Sequence, residues 1–189
     1  MLTETSNARL AEVHPELATR VRHLDGLLPS LGLQVAQGLR TVAQQDSLWA
    51  IGRTKEGQLC RHHRITRPIG TCPIHPFGLT VTKARGGWSA HNFAYAVDLV
   101  PEDVTPGQPD WNISSPAWKK LLAAAASCGL AEGAEWRTFP DNPHFYLQEL
   151  PATPSDDMRR EFPAGGLPAI WAAWVRILKP ADANGPETT

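Results

Sequence analysis

Two stretches constrain this chain more than any others: Ser89-Ala90-His91-Asn92-Phe93-Ala94-Tyr95-Ala96-Val97-Asp98 and, much later, Asp141-Asn142-Pro143-His144. Imidazole nitrogens and a carboxylate are good zinc ligands, and a catalytic zinc takes three protein ligands and keeps one position for water. His91 and Asp98 stand seven residues apart. A turn after His91 that leads into a strand lets both side chains converge on one point. The third ligand, His144, then has to arrive from far along the chain. Asp141, three residues before His144, is close enough to take a proton from water at such a site. Spacing alone also admits a plainer reading. Single histidines and aspartates are common on surfaces, and Asp-Asn-Pro is a turn signal.

A length of 189 residues allows one well-buried core and leaves little room for two full domains. The net charge of -1 gives no electrostatic reason to expect a nucleic-acid partner. No apolar run approaches the roughly 20 residues that span a bilayer. The start, Met1-Leu2-Thr3-Glu4-Thr5-Ser6, has neither a basic segment nor an apolar one behind it, so no signal peptide is expected. Synthesis in the cytoplasm, with later release, is the corresponding expectation. Three cysteines are too few for a disulfide scaffold, and Cys128, after an alanine run, reads as a small buried hydrophobe.

Periodicity predicts a helix over Pro15 to Leu28, with Pro15 at its first position and Leu17, Val21, Leu24 and Leu28 on one face. Leu33 to Gln37 alternates like a short half-buried strand. Thr41-Val42-Ala43-Gln44 is a capping box that opens a second helix reaching about Ile51. Residues 52–87 show no sustained period and read as a long loop or irregular insertion. Tyr95 to Val100 and His144 to Leu147 read as strands. Ser115-Pro116 caps a helix through Ala126 that Gly129 closes. A last helix is predicted near Pro168 to Leu178, with Ile170, Trp171, Trp174, Val175 and Leu178 on one broad face. Residues 9–150 form the expected catalytic unit, 151–179 a helical extension packed on it, and 180–189 a disordered tail. The class is α+β, with a small antiparallel sheet flanked by helices.

The first stretch, Ser89-x-His91-x-x-Ala94-x-Ala96-x-Asp98, resembles the SxHxxGxAxD signature of the zinc D-alanyl-D-alanine carboxypeptidase and dipeptidase family. The segment from Gly129 to Phe145 is similar to its L-alanyl-D-glutamate peptidase subgroup, some of whose members serve as phage endolysins. So is Gly38-Leu39-Arg40-Thr41 with Gln45, Leu48, Gly52, Arg53 and Thr54. The resemblance implies the fold of that family, which hedgehog-type zinc domains share. It implies one zinc on His91, Asp98 and His144, with Asp141 as general base and acid. Arg40 would bind substrate and stabilise a developing oxyanion, as a permanently charged guanidinium suits. Ser89, Gln45, Glu135 and Trp136 would join the substrate site, Glu135 by orienting His144 or by touching the substrate amine. Hydrolysis of peptidoglycan stem peptides by a monomer, cutting L-alanyl-D-glutamate bonds and released with a holin if phage-derived, is the implied activity. A D-alanyl-D-alanine peptidase and a non-catalytic zinc-bound module are the alternatives.

Departures from the pattern carry their own expectations. Ala94 replaces a glycine, which implies that its backbone does not need a positive φ or is slightly remodelled. Glu132 and Glu135 replace tryptophan and aspartate. Trp88 and Trp136 stand beside the two motifs where they could line a groove, although aromatics more often join the core. Within the insertion, Cys60, His62, His63, Cys72 and His75 are read first as part of a basic mobile loop, then as a Cys60–Cys72 disulfide, then as a second zinc site.

Overall fold

The computed structural model describes residues 1–51, 59–60, 65–66, 80–175 and 177–178. The expectations for His62, His63, Cys72, His75 and the tail from 180 lie outside the described residues. Cys60 is placed only as part of a strand, so its pairing lies outside them too.

Helix α1 (Glu4–Ala11) starts where the Thr3 hydroxyl accepts a hydrogen bond from Ser6 N at 3.1 Å. Its apolar pattern is too thin to announce it in the sequence, since only Ser6 and Leu10 are buried. Helix α2 (Pro15–Leu27) has Pro15 in its first turn and buries Leu17, Val21 and Leu24, as the spacing predicts. Strand β1 (Gln34–Gln37) follows, and helix α3 (Val42–Ala50) carries the expected Thr41/Gln44 capping box. A two-residue ladder joins β2 (Leu59–Cys60) to β3 (Ile65–Thr66) inside the stretch read as irregular. A 3-10 turn over Ala90–Phe93 leads into β4 (Ala96–Val100). Helix α4 (Pro116–Ala125) is capped by Ser115, and a left-handed Gly129 ends the turn behind it. Strands β5 (Leu130–Gly133) and β6 (Asp141–Leu147) complete the sheet.

The sheet order is β1-β4-β6-β5, with every neighbouring pair antiparallel. Strand β5 was not foreseen, because it is four residues long and holds a glutamate on an otherwise apolar face. Register places Val97 opposite Phe145 and Asp98 opposite His144. Because strand side chains alternate, Val35, Val97, Leu99, Phe145, Leu147 and Leu130 share one face. All six are buried and belong to the cluster that includes Leu17, Val21, Trp118 and Leu121. Asp98 and His144 therefore point to the other face.

The C-terminal helix starts earlier than expected. Helix α5 (Asp156–Trp174) is capped by Ser155, with Asp156 and Asp157 in its first turn. It is two helical pieces joined at Gly166, whose φ of 62° and ψ of -163° lie where only glycine is comfortable. The second piece buries Ile170 and Trp174. Trp174 packs edge-on against Tyr95, with ring centroids 5.3 Å apart, and Phe162 packs on Phe93 at 5.1 Å.

Ala94 corrects its expectation. It adopts φ 60° and ψ 25°, the left-handed conformation, and is alone among the described non-glycine residues in having a positive φ. Such a conformation costs an L-residue about 1–2 kcal/mol. It persists because neighbours over-determine it. The Ala94 carbonyl accepts from His14 N at 2.8 Å, its N–H donates to the His91 carbonyl at 3.3 Å, and the residue is fully buried. Packing supplies what a glycine would have provided by conformational freedom.

A β-branched side chain at this position cannot take up that backbone. Ala94→Val is expected to destabilise the protein by about 3 kcal/mol or more, through backbone strain and overpacking. Ala94→Gly should stay within about 1 kcal/mol of the parent, because relieved strain offsets the lost methyl and the more flexible unfolded chain. Urea denaturation of the two variants measures both. A tolerated valine would mean that the left-handed turn is not required.

Candidate metal centre and cleft

His91 arrives on the 3-10 turn, Asp98 on β4 and His144 on β6. His91 Nε2 lies 3.2 Å from Asp98 Oδ1 and 3.1 Å from His144 Nδ1, and the last two atoms are 3.6 Å apart. A tetrahedral ion with bonds of about 2.0–2.1 Å holds neighbouring ligand atoms about 3.3 Å apart. The triangle thus has the size of one face of a zinc tetrahedron.

Protonation suits the same use. His91 Nδ1 lies 2.8 Å from the Gly38 carbonyl, so Nδ1–H donates there and Nε2 turns a lone pair to the cluster. Burial lowers the His144 pKa, against the pull of Asp98, and favours a neutral ring. Burial alone would raise Asp98, but His91 and His144 beside it hold its carboxyl well below the usual range. Two imidazole nitrogens and a carboxylate at these distances are a donor set for a divalent cation. His144 Nε2 is buried without a hydrogen-bond partner among the described residues. Aromatic packing positions this ring instead, with Trp136 at 5.0 Å and Tyr146 at 5.8 Å between centroids.

The triad opens into a cleft of about 870 Å³, which Arg40, Ser89, Trp136 and Asp141 also line. Arg40 Nη2 donates to Asp98 Oδ2 at 3.4 Å, and Nη1 donates to Gln45 Oε1 at 2.7 Å. Burial lowers the Arg40 pKa, partly offset by the charges of Asp98 and Asp141. Asp141 is half-buried, and burial followed by the charge of Asp98 raises its pKa. A carboxyl moved upward in this way is a better proton acceptor than an ordinary aspartate.

Two expected substrate contacts lie elsewhere. Gln45 is fully buried and uses both ends of its amide inside the protein, accepting from Arg40 and donating to the Ala84 carbonyl at 2.8 Å. It is a positioning residue for Arg40, because the first turn of α3 directs it inward. Glu135 is exposed, lies outside the cleft lining and makes no hydrogen bond to His144 among the described residues. It sits in the turn between β5 and β6, where its side chain is directed to solvent. Trp88 and Trp136 line the cleft rather than the core, and Trp88 remains 49% exposed.

Sequence reasoning missed the parts that aim the ligands. Asn92 Nδ2 donates to the carbonyls of Arg40 and Thr41 at 2.8 and 3.2 Å, and its Oδ1 accepts from Gly87 N at 2.9 Å. Arg40 N donates to the His91 carbonyl at 3.1 Å, so the arginine segment and the histidine turn are stitched together on both sides. Trp171 Nε1 donates to the Phe93 carbonyl at 3.1 Å from the C-terminal helix. An asparagine directly after a candidate ligand was a usable signal, whereas Trp171 offered none beyond helical spacing.

Residues 82–147 match the family model described as D-alanyl-D-alanine carboxypeptidase, a span that holds all three members of the triad. The peptidoglycan L-alanyl-D-glutamate endopeptidase CwlK of Bacillus subtilis (strain 168) is 26% identical over 146 residues, covering 72% of this chain and 74% of that protein. Among solved structures, the Serratia marcescens L-Ala D-Glu endopeptidase ChiX is 24% identical with a TM-score of 0.48, over 78% of this chain and 90% of that one. The vancomycin resistance D,D-dipeptidase VanXYg is 9% identical with a TM-score of 0.43, over 86% of this chain and 59% of that one. Through the segment that carries its histidines and aspartates, this chain is similar to the D-alanyl-D-alanine carboxypeptidase family.

Proposed function

We propose that the chain is a zinc-dependent peptidase that hydrolyses L-alanyl-D-glutamate bonds in peptidoglycan stem peptides. The observation that carries this reading is the triangle of His91, Asp98 and His144 donor atoms, 3.1 to 3.6 Å apart, in one cleft with Asp141 and Arg40. The bond specificity rests on the likeness to the Bacillus endopeptidase.

His91, Asp98 and His144 would hold the ion. Bound zinc supplies Lewis-acid polarisation of a carbonyl and brings the ionisation of water towards neutral pH. Asp141 takes the proton of the attacking water and then hands it to the departing amine. Arg40 commits one N–H of Nη1 to Gln45 and one of Nη2 to Asp98, its Nε is buried, and the second N–H of each Nη is left for oxygen that becomes negative as the carbonyl turns tetrahedral. The aromatic walls, Trp88 and Trp136 among them, exclude water and give a peptide flat surfaces to lie on. A D-alanyl-D-alanine carboxypeptidase is the second reading, favoured by the description of the matching family model.

Asp141→Asn is expected to keep one zinc per chain while turnover falls about 10²–10⁴-fold, the usual contribution of a general base. Near-normal hydrolysis by that variant removes Asp141 from the role. His91→Ala should purify without stoichiometric zinc, and chelation of the parent should abolish hydrolysis until zinc is restored. Digestion of purified peptidoglycan followed by mass spectrometry identifies the bond. New amino-terminal glutamate is the expected product, free D-alanine would establish the second reading, and intact walls would exclude both.

A further inference from the structure

One wall of the cleft takes no part in the chemistry described above. Lys83 and Arg85 line the same cavity as Arg40 and Asp141, and both side chains are exposed. Neither has a carboxylate partner among the described residues. Each is held over an aromatic face instead. Lys83 Nζ stands 5.6 Å from the centre of the Phe139 ring and donates to the Thr138 carbonyl at 3.2 Å. The Arg85 guanidinium lies 4.3 Å from the centre of the Trp49 ring. Such contacts orient a cation without neutralising it.

The segment that carries them is fastened to the catalytic machinery. Gln45 Nε2 donates to the Ala84 carbonyl at 2.8 Å and to Thr82 Oγ1 at 3.4 Å, while Gln45 Oε1 holds Arg40. Asp46 Oδ1 accepts from Gly86 N at 2.8 Å. Arg40 is matched by Asp98 and by the nearby charge of Asp141. Among the described residues that line the cleft, Lys83 and Arg85 are the cations without an ion pair. Lys83 is tied to Thr138, three residues before Asp141. Thr138 and Asp141 both line the cleft, so Lys83 is anchored to the segment that leads into the proposed proton donor for the leaving amine.

We propose that Lys83 and Arg85 form a subsite for a free carboxylate on the residue that follows the scissile bond. The inference rests on the peptidase reading given above. It adds that a substrate with a carboxylate there is preferred over its carboxamide. A glutamyl residue fits this chemistry, because one carboxyl stays free when the other is joined to the next residue.

Two synthetic stem peptides that differ only in carboxylate or carboxamide at that residue provide the test. Kinetics on the zinc-loaded full chain are paired with calorimetric binding to the Asp141→Asn chain. The carboxylate peptide should be favoured about tenfold, mainly in KM, as one charge-assisted contact at a half-exposed wall provides. The preference should shrink with added salt. Lys83→Ala combined with Arg85→Gln should reduce the ratio to below about twofold, and Lys83→Glu should favour the carboxamide. Zinc content and circular dichroism show whether these surface variants are folded. A preference that survives in the double variant, or its absence in the parent, overturns the subsite. If neither peptide is cut, the peptidase reading falls, and the binding ratio on the same proteins still decides the subsite.

Discussion

Asp98 and His144 face each other across β4 and β6, and the register of that pair underlies the rest of the site. A slip of one residue would turn both side chains to the opposite face of the sheet. Val97, Leu99, Phe145 and Leu147 prevent it, since all four are fully buried on the other face. Exposing each would cost about 1.5–3 kcal/mol, which together is comparable with the whole stability of a typical domain, about 5–15 kcal/mol. The core thus does more than hold the chain compact. It decides, by parity, that two donor atoms meet on one side.

Around that pair the protein accepts local costs. Asp98 carries its charge in a buried place, which is unfavourable unless partners compensate. Arg40 does so, and Arg40 in turn depends on Gln45. The ring nitrogen of His144 that faces away from the triangle has no such relief. An unmatched buried polar group costs about 1–3 kcal/mol. Strain at Ala94 adds to the sum. These costs collect within one turn and two strand ends, while the helices behind them obey ordinary packing rules.

That division explains what could be read from the sequence. Helices α2, α3 and α4 announce themselves through Pro15 in the first turn, caps at Thr41 and Ser115, and apolar spacing, which are local signals. The candidate ligands were legible because their residue types and order are informative. Ala94 was misjudged because residue preference favours glycine in a left-handed turn, whereas here the fixing contacts come from His14 and the surrounding core. Gln45 and Glu135 were assigned to substrate from motif position, and only the direction of each side chain separates a buried brace from a solvated carboxylate. The early start of α5 was within reach, through Ser155 and the two aspartates after it, but Pro163, Gly165 and Gly166 broke the pattern.

The hydrogen bond from Trp171 to the Phe93 carbonyl links residues 78 positions apart. It closes the back of the turn that presents His91, and it comes from one of the last described helical turns. A ribosome therefore releases the triad and its sheet well before it releases the indole that finishes their support. During synthesis the turn that presents His91 passes through a stage with its candidate donor atoms made and its brace still missing. Completion of this turn is ordered in time as well as in space, with its supporting contact set by helix α5 rather than by the motif that carries His91.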